Sequence, residues 1–196
     1  MTDFAQMVPI ASITPFNVGL APASEATMIS ALGRPVPPID ASGCHNAQAS
    51  PAVVPLLRRA QVESVVMYGL GPAVESLTQI LQQAFAAAPA LADLLESDGM
   101  LCVRLQRPTS GAPTSRLSNH GWGTAIDLKL KGQAPPAATG AQVPYFVAFL
   151  APFFNKAGWY SGIAFHDDMH FEVADQTIHA WAAAGRFKAT TEQHPA

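Results

Sequence analysis

The 196-residue chain is poor in charge. Asp, Glu, Lys and Arg make up 13% of it, the 11 basic residues form no run, and the net charge is -3. A nucleic-acid-binding surface needs clustered cations to meet the phosphate backbone, so that class of partner is excluded. Long apolar runs are missing too: Pro, Gly, Asn or charged residues interrupt every stretch before it reaches the roughly 18 residues of a membrane helix. No membrane span is expected. The amino terminus lacks a basic start, since Asp3 is acidic and the first Lys or Arg is Arg34, which does not fit a secretory signal. The chain therefore reads as made in the cytoplasm, with any work outside it needing another export route. Cysteine is scarce. Cys44 and Cys102 have no CxxC spacing and build no metal framework; they are buried small side chains or one disulfide, with free thiols the favoured reading.

What remains is apolar and foldable. Hydrophobic residues are 49% of the chain, enough to bury a core at a length that suits one domain. Eight of the 17 prolines fall within the first 55 residues, where no clear period survives, so residues 1–50 read as an irregular Pro-rich arm and residues 51–196 as the folded domain. Along that domain, 51–61 reads as a short helix or turn and 64–70 as a strand. A helix follows through residue 97, with Val74, Leu77, Ile80, Leu81 and Phe85 on one face and a break at Pro89. MLCVRLQ at 100–106 and TAIDLKL at 124–130 alternate as strands, the second with Ala125, Asp127 and Lys129 on one face. PYFVAFLAPFFNKAGW places Phe146, Val147, Leu150, Phe153 and Phe154 on one helical stripe that ends near Gly158. IAF at 163–165 and HFEVA at 170–174 read as short strands, and DQTIHAWAAAGRF as a last helix closed by Gly185. The fold class is α+β: a small antiparallel sheet with flanking helices.

Two polar clusters stand out from this background, SNHGWGTAID at 118–127 and FHDDMHFEVAD at 165–175. The glycines after His120 let the chain turn and return as a strand that presents Asp127 on the same side. In the second cluster, His170 and Glu172 share one strand face. Two His nitrogens and one Asp oxygen make three protein ligands, which leaves the fourth tetrahedral position of zinc open for chemistry. Asp167, three residues before His170, is placed to move a proton beside such a metal. Taken singly, an isolated His or Asp is more often a surface or capping residue; it is the pairing of clusters that carries the signal.

Ser118, His120, Gly123, Ala125 and Asp127 fit SxHxxGxAxD, and Asp167 and His170 fit DxxH followed by FE. In this the chain resembles the M15 family of zinc D-alanyl-D-alanine peptidases, which includes VanX- and VanY-like carboxypeptidases and phage L-alanyl-D-glutamate endolysins. The resemblance covers roughly residues 64–174. It implies the Hedgehog/DD-peptidase fold, zinc held by His120, Asp127 and His170, Asp167 as general base and acid, Arg104 on the substrate's carboxylate or scissile carbonyl, and Ser118 lining the substrate site. Arg107 and Arg116 are alternatives to Arg104, and Asp168 to Asp167. Glu172 reads as a residue that orients a zinc-binding histidine. His45, His166, His179 and His194 read as structural or exposed, and Trp122 and Trp159 as cleft or core.

The expected activity is hydrolysis of a stem-peptide bond of peptidoglycan, foremost as a DD-carboxypeptidase removing terminal D-alanine, with an endopeptidase next and a non-catalytic cell-wall or tail module as the contrasting class. Such a substrate lies in the periplasm or cell wall. Delivery would then be that of a phage lysis enzyme or of an effector moved by a secretion machine, the latter with a cognate immunity protein in the producer.

Overall fold

A computed structural model of the chain describes residues 2–13, 15–107, 114–134, 136 and 140–188. The elements follow in the order β1 (Met7–Pro9), α1 (Glu25–Leu32), β2 (Leu57–Val62), β3 (Val65–Leu70), α2 (Gly71–Ala87), α3 (Pro89–Ala92), β4 (Leu95–Gly99), β5 (Ala125–Leu130), β6 (Gln142–Pro144), α4 (Tyr145–Lys156), β7 (Trp159–Ser161), β8 (His170–Val173) and α5 (Asp175–Ala183). The central sheet is antiparallel in the order β4-β5-β8-β7, and β1–β6 and β2–β3 form two small ribbons. The fold is α+β, as expected.

The long periodic segments form as their patterns predict. On α2, Val74, Leu77, Ile80, Leu81, Ala84 and Phe85 are buried, and Pro89 opens the separate turn α3. On α4, Phe146, Val147, Leu150 and Phe154 are buried, and Phe154 stacks on Phe171 of β8 with ring centroids 4.0 Å apart. That contact fastens the helix to the strand that carries His170. Trp122 and Trp159 are fully buried core residues, so neither lines a cleft.

Shorter segments differ from the sequence reading. Residues 51–61 hold only a 3-10 turn at Val54–Leu56 before β2 begins; β2 is a strand because β3 pairs with it from Leu57↔Leu70 to Val62↔Val65. The helix ends at Ala92, and Leu95–Gly99 is a strand, made so by pairing with β5 although LESDG has little intrinsic strand preference. Residues 100–106 are extended but lie outside the sheet, with Leu105 bridging Leu117. Residues 163–165 form a 3-10 turn and the strand precedes them, at Trp159–Ser161. Gly162 permits this turn: a Cβ there would collide with the Asp167 carbonyl, whose residue closes the turn by donating its N–H to Gly162 O at 3.0 Å.

The first fifty residues are not irregular throughout. They contain β1 and α1, and α1 is capped by Ser24, whose Oγ accepts from the Thr27 N–H at 3.0 Å. Met28 and Leu32 are buried in the main core. The free-thiol reading is also corrected: Cys44 and Cys102 form a disulfide, with Cα atoms 4.7 Å apart. Pairing of the chain on both sides brings them together, since Leu105 N–H donates to Asp40 O and His45 N–H to Val103 O, each at 2.8 Å.

Candidate active site

The strand register places two of the chemical side chains. Asp127 of β5 lies directly opposite His170 of β8, and opposite residues in an antiparallel pair project to the same face within contact distance. His120 comes from the 3-10 turn Asn119–Trp122 that leads into β5. Gly123 makes the sharp return possible: its φ is +65°, and an added Cβ would stand 2.7 Å from the Gly69 Cα. A side chain is excluded there by both conformation and space.

The three groups converge on one point. His120 Nε2 lies 3.2 Å from Asp127 Oδ1 and 3.2 Å from His170 Nδ1, and His170 Nδ1 lies 3.0 Å from Asp127 Oδ1. Zinc–ligand distances near 2.0 Å in a tetrahedron put ligand atoms about 3.3 Å apart, so the triangle is close to one face of such a site. His120 and His170 are buried, and Asp127 is partly exposed. The donor set and its spacing fit zinc and leave one side for a fourth ligand.

The far nitrogens of both imidazoles are engaged. Nδ1–H of His120 donates to the Met100 carbonyl at 2.9 Å, and Nε2–H of His170 donates to Glu172 Oε2 at 3.0 Å. Each ring is thereby left with its lone pair aimed at the triangle. Asn119 completes the support, its Nδ2 donating to Glu172 Oε2 at 2.9 Å and to the Ala23 carbonyl at 3.1 Å. Neither Asn119 nor Met100 was singled out in the sequence: a carbonyl has no residue signature, and Asn119 falls on a variable position of SxHxxGxAxD.

The electrostatics describe a site that wants a cation. Burial alone would raise the Asp127 pKa, but His120 and His170 hold it well below the usual carboxylate range. Burial would lower that of His170, yet hydrogen bonds to Asp127 and Glu172 push it up to about 10. The second proton of a charged His170 sits on Nδ1 toward Asp127, where a metal ion can displace it and meet the lone pair.

Around this triangle the remaining residues differ in placement. Asp167 is on the exposed rim; desolvation and the charge of Asp127 raise its pKa, while His170, His120 and Arg104 pull the other way. Asp168 is buried at 2% exposure, with Oδ2 lacking a hydrogen-bond partner among the described residues and a pKa raised to about 6 by burial and by Asp167. Of the two, Asp167 interacts with the triangle. Arg104 is half-buried, its charge disfavoured by desolvation and by Arg107 but favoured by Asp127 and Asp167. Arg107 and Arg116 are exposed. Ser118 is buried and donates its N–H to the Arg104 carbonyl at 3.0 Å, so these two positions are neighbours.

His45 contacts Asp40 Oδ1 at 2.9 Å, His179 pairs with Asp175 on the surface, and His166 is exposed; none reaches the triangle. His194 lies outside the described residues.

Residues 112–173 match the family model described as D-alanyl-D-alanine carboxypeptidase of the M15 peptidases. This segment belongs to the M15 peptidase family. It contains all three members of the triangle together with Asp167 and Glu172, whereas Arg104 and the arm lie before it. The α+β architecture, with its small antiparallel sheet, is compatible with a Hedgehog/DD-peptidase-like domain. No curated protein and no solved structure matches the chain. No helix among the described residues is long and apolar enough to cross a membrane.

Proposed function

We propose that this M15 peptidase is a zinc-dependent DD-carboxypeptidase that removes the terminal D-alanine from the stem peptide of peptidoglycan. The observation that carries the reading is the buried His120–Asp127–His170 triangle with Asp167 and Arg104 at its edge. Zinc held there would supply a Lewis acid for the scissile carbonyl and lower the pKa of a water. The chain's own residues do the rest. Glu172 and the Met100 carbonyl hold the two imidazoles in orientation. Asp167 accepts a proton as the carbonyl is attacked and returns it to the departing amine, a role that its raised pKa favours. Arg104 offers a planar pair of donors to a terminal carboxylate, which a lysine could not match in geometry. Ser118, paired with Arg104 through the backbone, lines the same side.

Mass spectrometry of purified muropeptides after digestion tests the bond. Loss of a single terminal D-alanine is expected. Conversion of cross-linked dimers to monomers, with the terminal residue intact, would replace this reading by an endopeptidase, and one bound zinc per chain with no cleavage would replace it by a binding module.

A further inference from the structure

Residues 100–105 serve both halves of the site. The Met100 carbonyl orients His120, the Cys102 N–H donates to the His120 carbonyl at 3.0 Å, and the Arg104 carbonyl accepts from Ser118. Yet this stretch has no place in the central sheet: Leu105 makes an isolated bridge to Leu117, and the Leu101 N–H donates to the Tyr68 carbonyl of β3 at 3.0 Å. Its outer side is held by the arm. Beyond the two backbone bonds, accepted by the Asp40 carbonyl and donated by the His45 N–H, the Asn46 side chain accepts from the Val103 N–H at 3.1 Å and donates to the Leu101 carbonyl at 3.4 Å. None of residues 40–46 is buried. A segment with exposed hydrogen bonds and no buried residue opens easily in water; here Ile39 and Ala49 on either side of it pack with Leu101 and Val103, and within it the tie that does not depend on those bonds is the Cys44–Cys102 disulfide.

We propose that this disulfide is a positioning element of the active site. It holds residues 40–46 against 101–105 and so fixes both Arg104 and the carbonyl that orients His120, which makes the peptidase complete only after oxidation. The inference rests on reading the triangle as a metal site and Arg104 as a substrate contact. The forming step is thiol–disulfide exchange with a disulfide, protein or small molecule. The Cys44 and Cys102 thiols lose two protons and two electrons as their S–S bond forms, and the reagent's S–S bond breaks to give two thiols. A reducing cytoplasm would keep the chain open, and an oxidising compartment, where peptidoglycan lies, would close it.

The test compares the oxidised full chain, the chain reduced with a phosphine that is removed before zinc is added, and Cys44→Ser. Zinc affinity is read by chelator competition, and kcat and KM on a peptide ending in D-alanine are read beside those on its terminal amide. Opening the disulfide is expected to weaken zinc binding by about 10–100-fold, as loss of a ligand-orienting partner does. It should also raise KM for the free carboxylate more than for the amide. Oxidised glutathione should restore both in the reduced chain and neither in Cys44→Ser. Equal zinc affinity and KM in all three forms would overturn the proposal. So would collapse of the near-ultraviolet signal of Trp122 and Trp159 on reduction, which would make the bond a support of the whole fold. An oxidised chain that binds no zinc would bring down the metallopeptidase reading along with it, whereas one that binds, cleaves and ignores reduction brings down this proposal alone.

Discussion

The two halves of the site are built in opposite ways. Asp127, His170 and Glu172 stand on adjacent strands whose register brings them together, and every polar contact among them is made inside the M15 segment. Arg104 stands on an extended stretch outside the sheet, supported from behind by the amino-terminal arm and a disulfide. A metal triangle tolerates little displacement and is carried on the most rigid framework available. A residue that grips one end of a peptide can be carried on a separate support, which here touches the triangle's side chains through a backbone contact, the Met100 carbonyl on His120.

Substitutions should separate these halves. The largest effect belongs to His120→Ala, which is expected to abolish both zinc binding and turnover; zinc retained at one per chain by metal analysis would remove His120 from the ligand set. Asp167→Asn should keep the zinc and lose about 10²–10⁴-fold in kcat, and near-normal turnover would pass the proton-transfer role to another group. Because Asp167 must be deprotonated to act as base and its pKa is raised, activity of the parent enzyme should fall as pH drops through a value above the ordinary carboxylate range. That acid limb should vanish from the residual rate of Asp167→Asn. Arg104→Ala should leave zinc affinity unchanged and reduce kcat/KM by about 10²–10³-fold, with the loss much smaller on an amidated peptide; equal losses on both substrates would assign Arg104 to the scissile carbonyl. The smallest effect is expected from Glu172→Gln, which preserves the fold and weakens zinc by about 10–100-fold. If its zinc affinity were unchanged, the buried His170–Glu172 contact would be a packing feature alone.

Sequence legibility follows the same division. The convergence of His120, Asp127 and His170 could be read because side-chain identity and spacing both survive in SxHxxGxAxD and DxxH, and β5 and β8 alternate as strands. α2 and α4 were legible from long apolar stripes. β4 was not, since LESDG becomes a strand only because β5 supplies a partner. Residues 100–106 mislead in the other direction: they alternate well, but their partners are the arm and the turn before His120, so no ladder forms. The disulfide was hidden because spacing does not encode which distant segments meet. The arm's part in the site was hidden because it acts largely through backbone groups, such as the Ala23 and Asp40 carbonyls, which any residue carries.

The buried indole of Trp122 gives the arm one more consequence. Its Nε1–H donates to the Gly33 carbonyl at 2.7 Å, two positions from His120 in the same turn. The stretch that carries the family signature is therefore not a portable unit. Grafted or expressed without the first fifty residues, it would leave an indole N–H and the Asn119 amide facing a gap where backbone acceptors had been, immediately beneath His120. A shortened version of the chain should accordingly keep both Ala23 and Gly33, the residues whose carbonyls receive Asn119 and Trp122.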